Sequence, residues 1–365
     1  MKLTREEIDA AILGGCLLGG GGGGSMEKGR LLAVEAVRLG GVNLVDIDDV
    51  DPEVVLLTCS AVGAPAARDA CASPEAAGRV VTMLERFEDL SVGGLITNEC
   101  GGSAICNGWV PAAMTGRPVV DAPCNGRAHP TGLMGSMGLH RDAAYRSVQA
   151  AAGGDPEKGT YLEAIFRGPM EAVSALVRQS SVRAGGLVSV ARNPVPASYA
   201  KRHAAPGGVR RAIEVGFAMR DAGFDGEAVA AAAAALLGGT VVAEGAVVRY
   251  DLATEGGFDH GRIEVEGGVS ATFWNEYMTL DVGGKRRYTF PDLIMTLDAG
   301  TGVPVTTAEL RRDMRVVVLA APSGNLLLGA GMRCRELFEP VEGIVGEPVL
   351  AYLSFDARGG SRERS

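Results

Sequence analysis

Three short apolar runs in the first third of the chain, VVLLTCSAVGAP, VGGLITNECGG and PVVDAPCNGRAHP, each reach a cysteine beside a glycine-containing or proline-containing turn. Runs of strand length separated by helical patterns predict a parallel sheet covered on both faces. In such a sheet the residues that follow the strands gather at one carboxyl edge, where open α/β sheets bind their ligands. Cys59, Cys100 and Cys124 are therefore expected to emerge at the same edge. Three thiolates there would suit zinc with an open fourth position, or an iron-sulfur cluster with one iron left free. The competing reading is packing, because a cysteine in an apolar run behaves as a small buried hydrophobe. Cys106, six residues past Cys100, is an alternative third ligand if the turn is wide, whereas Cys16, Cys71 and Cys334 lie outside the three turns.

The same turns carry a dense set of polar residues: Asn98 and Glu99, then Asp121, Asn125, Arg127 and His129, with Gly63 and Pro65 after the first run. Glu99 is the candidate general base, Asp121 the runner-up, and His129 the histidine placed to move a proton at that edge. Arg127 offers a planar fork for a substrate carboxylate, with Asn98 and Asn125 as further binding residues. His140, His203 and His260 fall outside the turns and are expected to pack or face solvent. No GxSxG elbow is present, so a serine triad is not indicated.

Upstream, TREEIDAAILGGCLLG is predicted to be a helix with Thr4 as N-cap and Glu7 completing a capping box. It runs into six consecutive glycines, Gly19 to Gly24, ahead of a second helical pattern. Backbone amides of Gly21, Gly22 and Gly23 could cradle an anion at a helix start, or the run could be a connector. The Walker lysine-serine pair is missing, so a carboxylate or ring oxygen is favoured and no nucleotide cofactor is expected.

A length of 365 residues suggests more than one domain. Residues 1–145 read as the α/β domain, 146–238 as a helix-rich α+β lobe, 239–355 as a β-rich domain of short runs between glycine turns, and 356–365 as a disordered tail. Trp274, beside Asn275 and Glu276, is read as a packing residue of the third region. Thirty-five basic against 44 acidic residues give a net charge of -9, which argues against nucleic acid or an anionic membrane as partner. The acidic N-terminus and the lack of an apolar run of about 18 residues point to a cytoplasmic protein. Seven scattered cysteines are expected to be reduced thiols.

Several segments, in order along nearly the whole chain, resemble the S-methyl-thiohydantoin desulfurase-like family: AILGGCLLGGGGGG, SAVGAPAA, NECGGSA, PVVDAPCNGRAHP, TEGGFDHGRIEVEG and TFPDLIMTLDAGTGVPVTTAELRRDMRVVVL. The last is the most specific. The resemblance implies an α/β region followed by a β-containing region, and removal of sulfur from a five-membered thiourea-like ring by water, with methanethiol or sulfide leaving. The glycine loop at Gly20 to Gly24, Glu99, Asp121 and Arg127 sit on matching positions. The family pattern has apolar residues or glycine where this chain has Cys59, Cys100 and Cys124, so the cysteines suggest an added thiolate-bound cofactor. The expected function is an enzyme acting on a small carboxylated or (thio)hydantoin-like substrate, with zinc or an iron-sulfur cluster as Lewis acid for desulfurisation, hydration or dehydration. The alternatives are a metal-free ring hydrolase working through Glu99 and Asp121, or a small-anion-binding subunit of a hydantoinase-like partner. A homo-oligomer is expected in either case.

Overall fold

The computed structural model describes residues 1–63, 67 and 69–353. Pro65 and the tail at 356–365 lie outside the described residues. Helix α1 (Arg5–Leu18) begins as its sequence predicts: the Thr4 side chain accepts from the Glu7 amide, and Glu7 reaches back to the Thr4 amide. The glycine run turns the chain into α2 (Met26–Arg38), capped by Ser25. Strands β1 (Leu44–Val45), β2 (Val55–Gly63), β3 (Val92–Thr97) and β4 (Val119–Val120) alternate with α3 (Pro74–Glu88) and α4 (Trp109–Thr115). Then follow β5 (Ser147–Gly153), β6 (Leu162–Gly168), α5 (Met170–Arg183), β7 (Leu187–Pro196), α6 (Ala197–His203), α7 (Gly208–Asp221) and α8 (Gly226–Leu237).

These strands form one seven-stranded sheet in the order β1-β4-β3-β2-β7-β5-β6. The first four are parallel, as the alternating pattern predicts, and the last three join antiparallel. The strands of 146–238 thus complete the first sheet instead of building a lobe of their own. The run GGLVSVARNPV supplies β7, which pairs directly with the cysteine-bearing β2, Cys59 opposite Ala191.

The remainder forms an antiparallel eight-stranded sheet, β12-β11-β10-β9-β8-β15-β13-β14. Its strands are β8 (Thr240–Glu255), β9 (Phe258–Val265), β10 (Val269–Trp274), β11 (Glu276–Val282), β12 (Lys285–Thr289), β13 (Leu293–Asp298), β14 (Pro304–Val305) and β15 (Arg315–Ala321), with α9 (Glu339–Val345) behind them. Two hairpins turn on glycine pairs, Gly256–Gly257 and Gly283–Gly284, whose positive φ values suit the two-residue turns that right-handed strand twist prefers.

β13 and β15 are apolar on both faces because both are covered. Leu293, Met295, Leu297, Val317 and Leu319 face a core shared with α1, α7, α8 and one face of the first sheet, while Ile294, Val316 and Val318 face the other side of their own sheet. Helices α1 and α7 cross in near backbone contact. A Cβ on Gly14 would lie 1.9 Å from the Ala212 carbonyl oxygen, and one on Gly216 would lie 1.9 Å from that of Ala10. One contiguous core therefore ties the two sheets together.

Candidate functional site

Beyond their strands the chain segments after β2, β3 and β4 keep pairing. The Asn98 amide donates to Cys59 O (3.0 Å), Cys124 to Thr97 O (3.0 Å), Asn125 to Asn98 O (3.3 Å) and Cys100 to Asn125 O (3.1 Å). The three turns adjoin, as parallel strand ends must. Their sulfurs nevertheless do not gather. Along β2, Thr58 and Cys59 point to opposite faces, and the Thr58 hydroxyl meets Cys124 Sγ at 3.5 Å, so Cys59 projects away from Cys124. Cys59, Cys100 and Cys106 pack into the shared core, whereas Cys124 packs on the opposite face with Leu56 and Ile96. Burial raises all these thiols, Cys59 to about 12, Cys124 to about 11, and Cys100 and Cys106 well above the usual value. The expected three-thiolate arrangement is thus corrected to packing cysteines, because strand alternation separates side chains whose backbones touch.

The polar residues of the same edge do meet. Glu99 Oε2 accepts from the His129 amide (3.2 Å) and from Asn98 Nδ2 (3.2 Å), and lies 3.3 Å from His129 Nε2. Arg192, on β7, donates Nη2 to Asn98 Oδ1 and so turns the Asn98 NH2 toward both Glu99 and His129 Nε2 (3.3 Å). Gly135 closes over the group: a Cβ there would stand 2.6 Å from His129 Cε1 and 2.7 Å from Asn98 Oδ1.

Burial sets the protonation states. The Glu99 carboxyl is pushed up to about 7 by desolvation, which outweighs the His129 amide and the positive fields of Arg192 and Arg127. The imidazole of His129 is pushed down to about 3 by burial and then by Arg192. His129 is therefore neutral at physiological pH, and its 3.3 Å approach to Glu99 is not an ion pair.

Two further ionisable groups complete the cluster, Glu276 from the second sheet and Arg127 from the turn after β4. Glu276 opens β11, 1% exposed, with its carboxyl held well above the ordinary range by burial and then by Glu99; the Gly23 amide hydrogen-bonds to it. Arg127, fully buried, stacks over the Phe290 ring at 4.6 Å. Its Nε donates to Ala128 O (3.2 Å) and its Nη1 to Pro291 O (2.8 Å) and Asp292 O. Burial lowers its guanidinium to about 10. With Nε and Nη1 committed, the expected two-point fork on a carboxylate is reduced to one donor, Nη2. Among the described residues Arg127 Nη2, Arg192 Nε and Glu276 Oε2 have no hydrogen-bond partner, and His129 Nδ1 has none of normal geometry. Buried polar atoms are nearly always paired, so a concentration of orphans marks a place that takes a polar ligand or water.

The remaining expected site residues serve the frame. The Asp121 carboxylate accepts from the amides of Val209 (2.7 Å) and Arg210 (3.2 Å), fastening the start of α7. Asn125 donates to Met134 O (3.0 Å) and accepts from the Gly329 amide (2.9 Å). The glycine loop is a docking seam. Gly21 N donates to Met295 Sδ (3.1 Å) and Gly22 N to Gly19 O (3.3 Å), while Gly20 O and Gly21 O accept from the Tyr277 and Thr307 amides. With these amides and that of Gly23 already taken, the loop does not present the expected anion cradle. Its glycines admit the site residues instead: a Cβ on Gly20 would lie 2.4 Å from Arg127 Nη2, and one on Gly22 would lie 1.9 Å from Glu276 Oε1.

Two domain profiles match the chain, S-Me-THD-like N-terminal domain over residues 6–160 and S-Me-THD-like C-terminal domain over residues 169–334. The chain belongs to the S-Me-THD-like family. The glycine loop, Glu99, Arg127 and His129 fall within the N-terminal match, and Arg192 and Glu276 within the C-terminal one, so the polar cluster of this S-Me-THD-like chain is built from both. A crystal structure of a protein from Chromobacterium violaceum is similar in fold, with TM-score 0.66 and 21% sequence identity over 88% of this chain and 91% of that chain. No curated protein matches the chain.

Arg192 and Glu276 escape a reading of the strand-end turns because they come from β7 and β11. Their signal in the sequence is a charge inside an apolar strand, VSVARNPV and TFWNEYM, where ionisable residues are rarely buried without a partner.

Proposed function

We propose that this protein is a hydrolase of small cyclic (thio)hydantoin-like molecules in which Glu99 is the general base. The observation that carries the reading is Glu99 itself. It is a carboxyl at the strand-end edge, oriented by the His129 amide and by Asn98, and held by burial near pH 7, where a general base works best. The ring class comes from the family name, and the orphan donors agree with it. Arg127 Nη2 and Arg192 Nε could each donate to a ring carbonyl, while the Glu276 carboxyl, held well above its ordinary range by burial, could exchange hydrogen bonds with a ring N–H or C=O.

In the proposed reaction on an S-methylated ring, ionised Glu99 takes a proton from water as the water oxygen bonds to C2. The C2=N electrons move onto the ring nitrogen, which takes the hydroxyl proton as the C2–S bond breaks, and the proton held by Glu99 passes to the departing sulfur, so that one water is consumed and one methanethiol leaves with C2 as a carbonyl. His129, neutral throughout, orients Glu99 and carries no charge into the step. Asp121, committed to α7, has a positioning role in this reading.

Incubation of purified protein with S-methyl-thiohydantoin and with hydantoin, following free thiol and ring opening, tests the proposal. Thiol release by wild type and its loss in Glu99→Gln is the expected result. Ligand binding without turnover in wild type would sink it in favour of a small-ligand-binding role.

A further inference from the structure

Outside the polar cluster, two segments far apart in sequence meet over a compact set of metal-ligating atoms. His140 lies in a 3-10 turn at Leu139–Arg141, and Cys334 and Glu336 border or occupy the turn at Arg335–Leu337. His140 Nδ1/Nε2, Cys334 Sγ and a Glu336 carboxylate oxygen include one atom from each residue, all within 4.8 Å of one another. Among the described residues this is the set of three His, Cys or acidic ligands so gathered. We propose that His140, Cys334 and Glu336 bind a divalent transition-metal ion of the zinc type, leaving its fourth position to water.

The local geometry fits that chemistry. His140 Nε2 and Glu336 Oε1 are 3.2 Å apart. Two ligands on a tetrahedral ion at about 2.0–2.1 Å stand roughly 3.3 Å from each other, so the ion can replace the hydrogen shared between them. The Ser136 hydroxyl lies 3.0 Å from His140 Nδ1, where it can hold the proton on that nitrogen and leave the Nε2 lone pair facing Glu336. Arg141 stands behind the carboxylate, donating Nε to Oε1 (2.6 Å) and Nη2 to Oε2 (2.8 Å), and fixes its plane. Cys334 is 2% exposed, His140 has 11% of its side chain exposed and Glu336 44%, which gives an ion a solvent approach from the carboxylate side. Binding releases the thiol proton of Cys334, while a neutral His140 in the other tautomer shifts its proton from Nε2 to Nδ1, beside the Ser136 hydroxyl.

The two segments are held rigidly before any ion arrives. Gly331 packs so closely that a Cβ would lie 2.1 Å from the Met134 carbonyl oxygen, and the Gly329 amide donates to Asn125 Oδ1. An ion here would clamp the chain after β15 onto the loop whose Gly135 covers His129. It is separate from Cys59, Cys100 and Cys124.

Reduced, chelator-treated full-length protein titrated with Co(II), and with Zn(II) in competition, tests the assignment. One equivalent of Co(II) with a thiolate-to-metal charge-transfer band is expected. The band should vanish in Cys334→Ser, persist in Cys71→Ser, and affinity should fall at least about tenfold in His140→Ala and Glu336→Gln. Glu336→Gln is the decisive variant should the buried Cys334→Ser fail to fold, since residue 336 is largely exposed. No Co(II) or Zn(II) binding by wild type, a band that survives Cys334→Ser, or unchanged affinity in Glu336→Gln would each overturn the proposal.

Discussion

Glu99 and Glu276 are two carboxyls that burial, joined at Glu276 by repulsion from Glu99, keeps reluctant to ionise, and this dictates their pH behaviour. A carboxyl whose folded pKa is raised from 4.5 to about 7 binds its proton more tightly folded than unfolded. Its contribution to stability is complete below about pH 4.5 and is lost as pH rises through about 7. Glu99→Gln should remove that loss, so the variant gains on wild type by roughly 1–3 kcal/mol between pH 5 and pH 8 in urea melts. Equal pH slopes for the two proteins would contradict the buried-carboxyl assignment. Turnover should move the opposite way, rising in wild type through about pH 7 as Glu99 ionises and falling about 10²–10⁴-fold in Glu99→Gln. With its own pKa near 3, His129 should add no second inflection between pH 5 and 8. Asn98, Glu99, Arg127 and His129 could be picked from the chain because they follow strand-length runs. Arg192 and Glu276 could not, because their neighbours in space are set by a sheet order that no local pattern encodes.

Among the elements, the glycine loop and the start of α7 are where sequence motif and structural use diverge most. Six glycines before a helix read as an anion cradle, yet the loop amides pair within the protein, and close approach to Glu276 and Arg127 is what the missing side chains permit. Gly22 does not have a positive φ, so alanine there meets a steric problem alone, its Cβ 1.9 Å from Glu276 Oε1. We expect Gly22→Ala to lose about 1–3 kcal/mol and to disturb Glu276, while Gly324→Ala, with nothing within 4 Å, stays near neutral. A Gly22→Ala protein as stable as wild type in thermal melts would show that the loop shifts freely. Asp121→Asn should cost about 1–2 kcal/mol through the weakened start of α7, with turnover kept within a few-fold. A hundredfold loss of turnover at unchanged stability would instead return Asp121 to the chemistry.

Across the whole molecule, the two family domains share one core. Leu57, Leu95 and Val119 of the first sheet, Ala11 and Ile12 of α1, and Leu293, Met295 and Val317 of the second sheet belong to the same apolar cluster, with Gly20–Gly21 bonded to Tyr277 and Thr307. Surfaces this interleaved should not melt separately. Calorimetry is expected to give a single transition with equal calorimetric and van't Hoff enthalpies, and two resolved transitions would show the halves to be independent. No helix of the described residues is long and apolar enough to cross a membrane. The three-region division legible in composition thus marks changes of local pattern and not separate cores: β5, β6 and β7 lie in the middle region but finish the first sheet.

Local physics was enough for the sequence to determine the Thr4 helix start, the parallel strands before Asn98 and Asp121, the glycine-pair hairpins and the family, since each depends on residues close together in the chain. Tertiary structure alone decided which side chains meet. Strand alternation sent Cys59 and Cys124 to opposite faces although their backbones are neighbours, and antiparallel insertion of β7 brought Arg192 to Asn98. Docking of the second sheet on the glycine loop set Glu276 beside Glu99 and Arg127. A sequence period fixes the face of a strand, but only strand order and sheet packing choose what stands opposite that face.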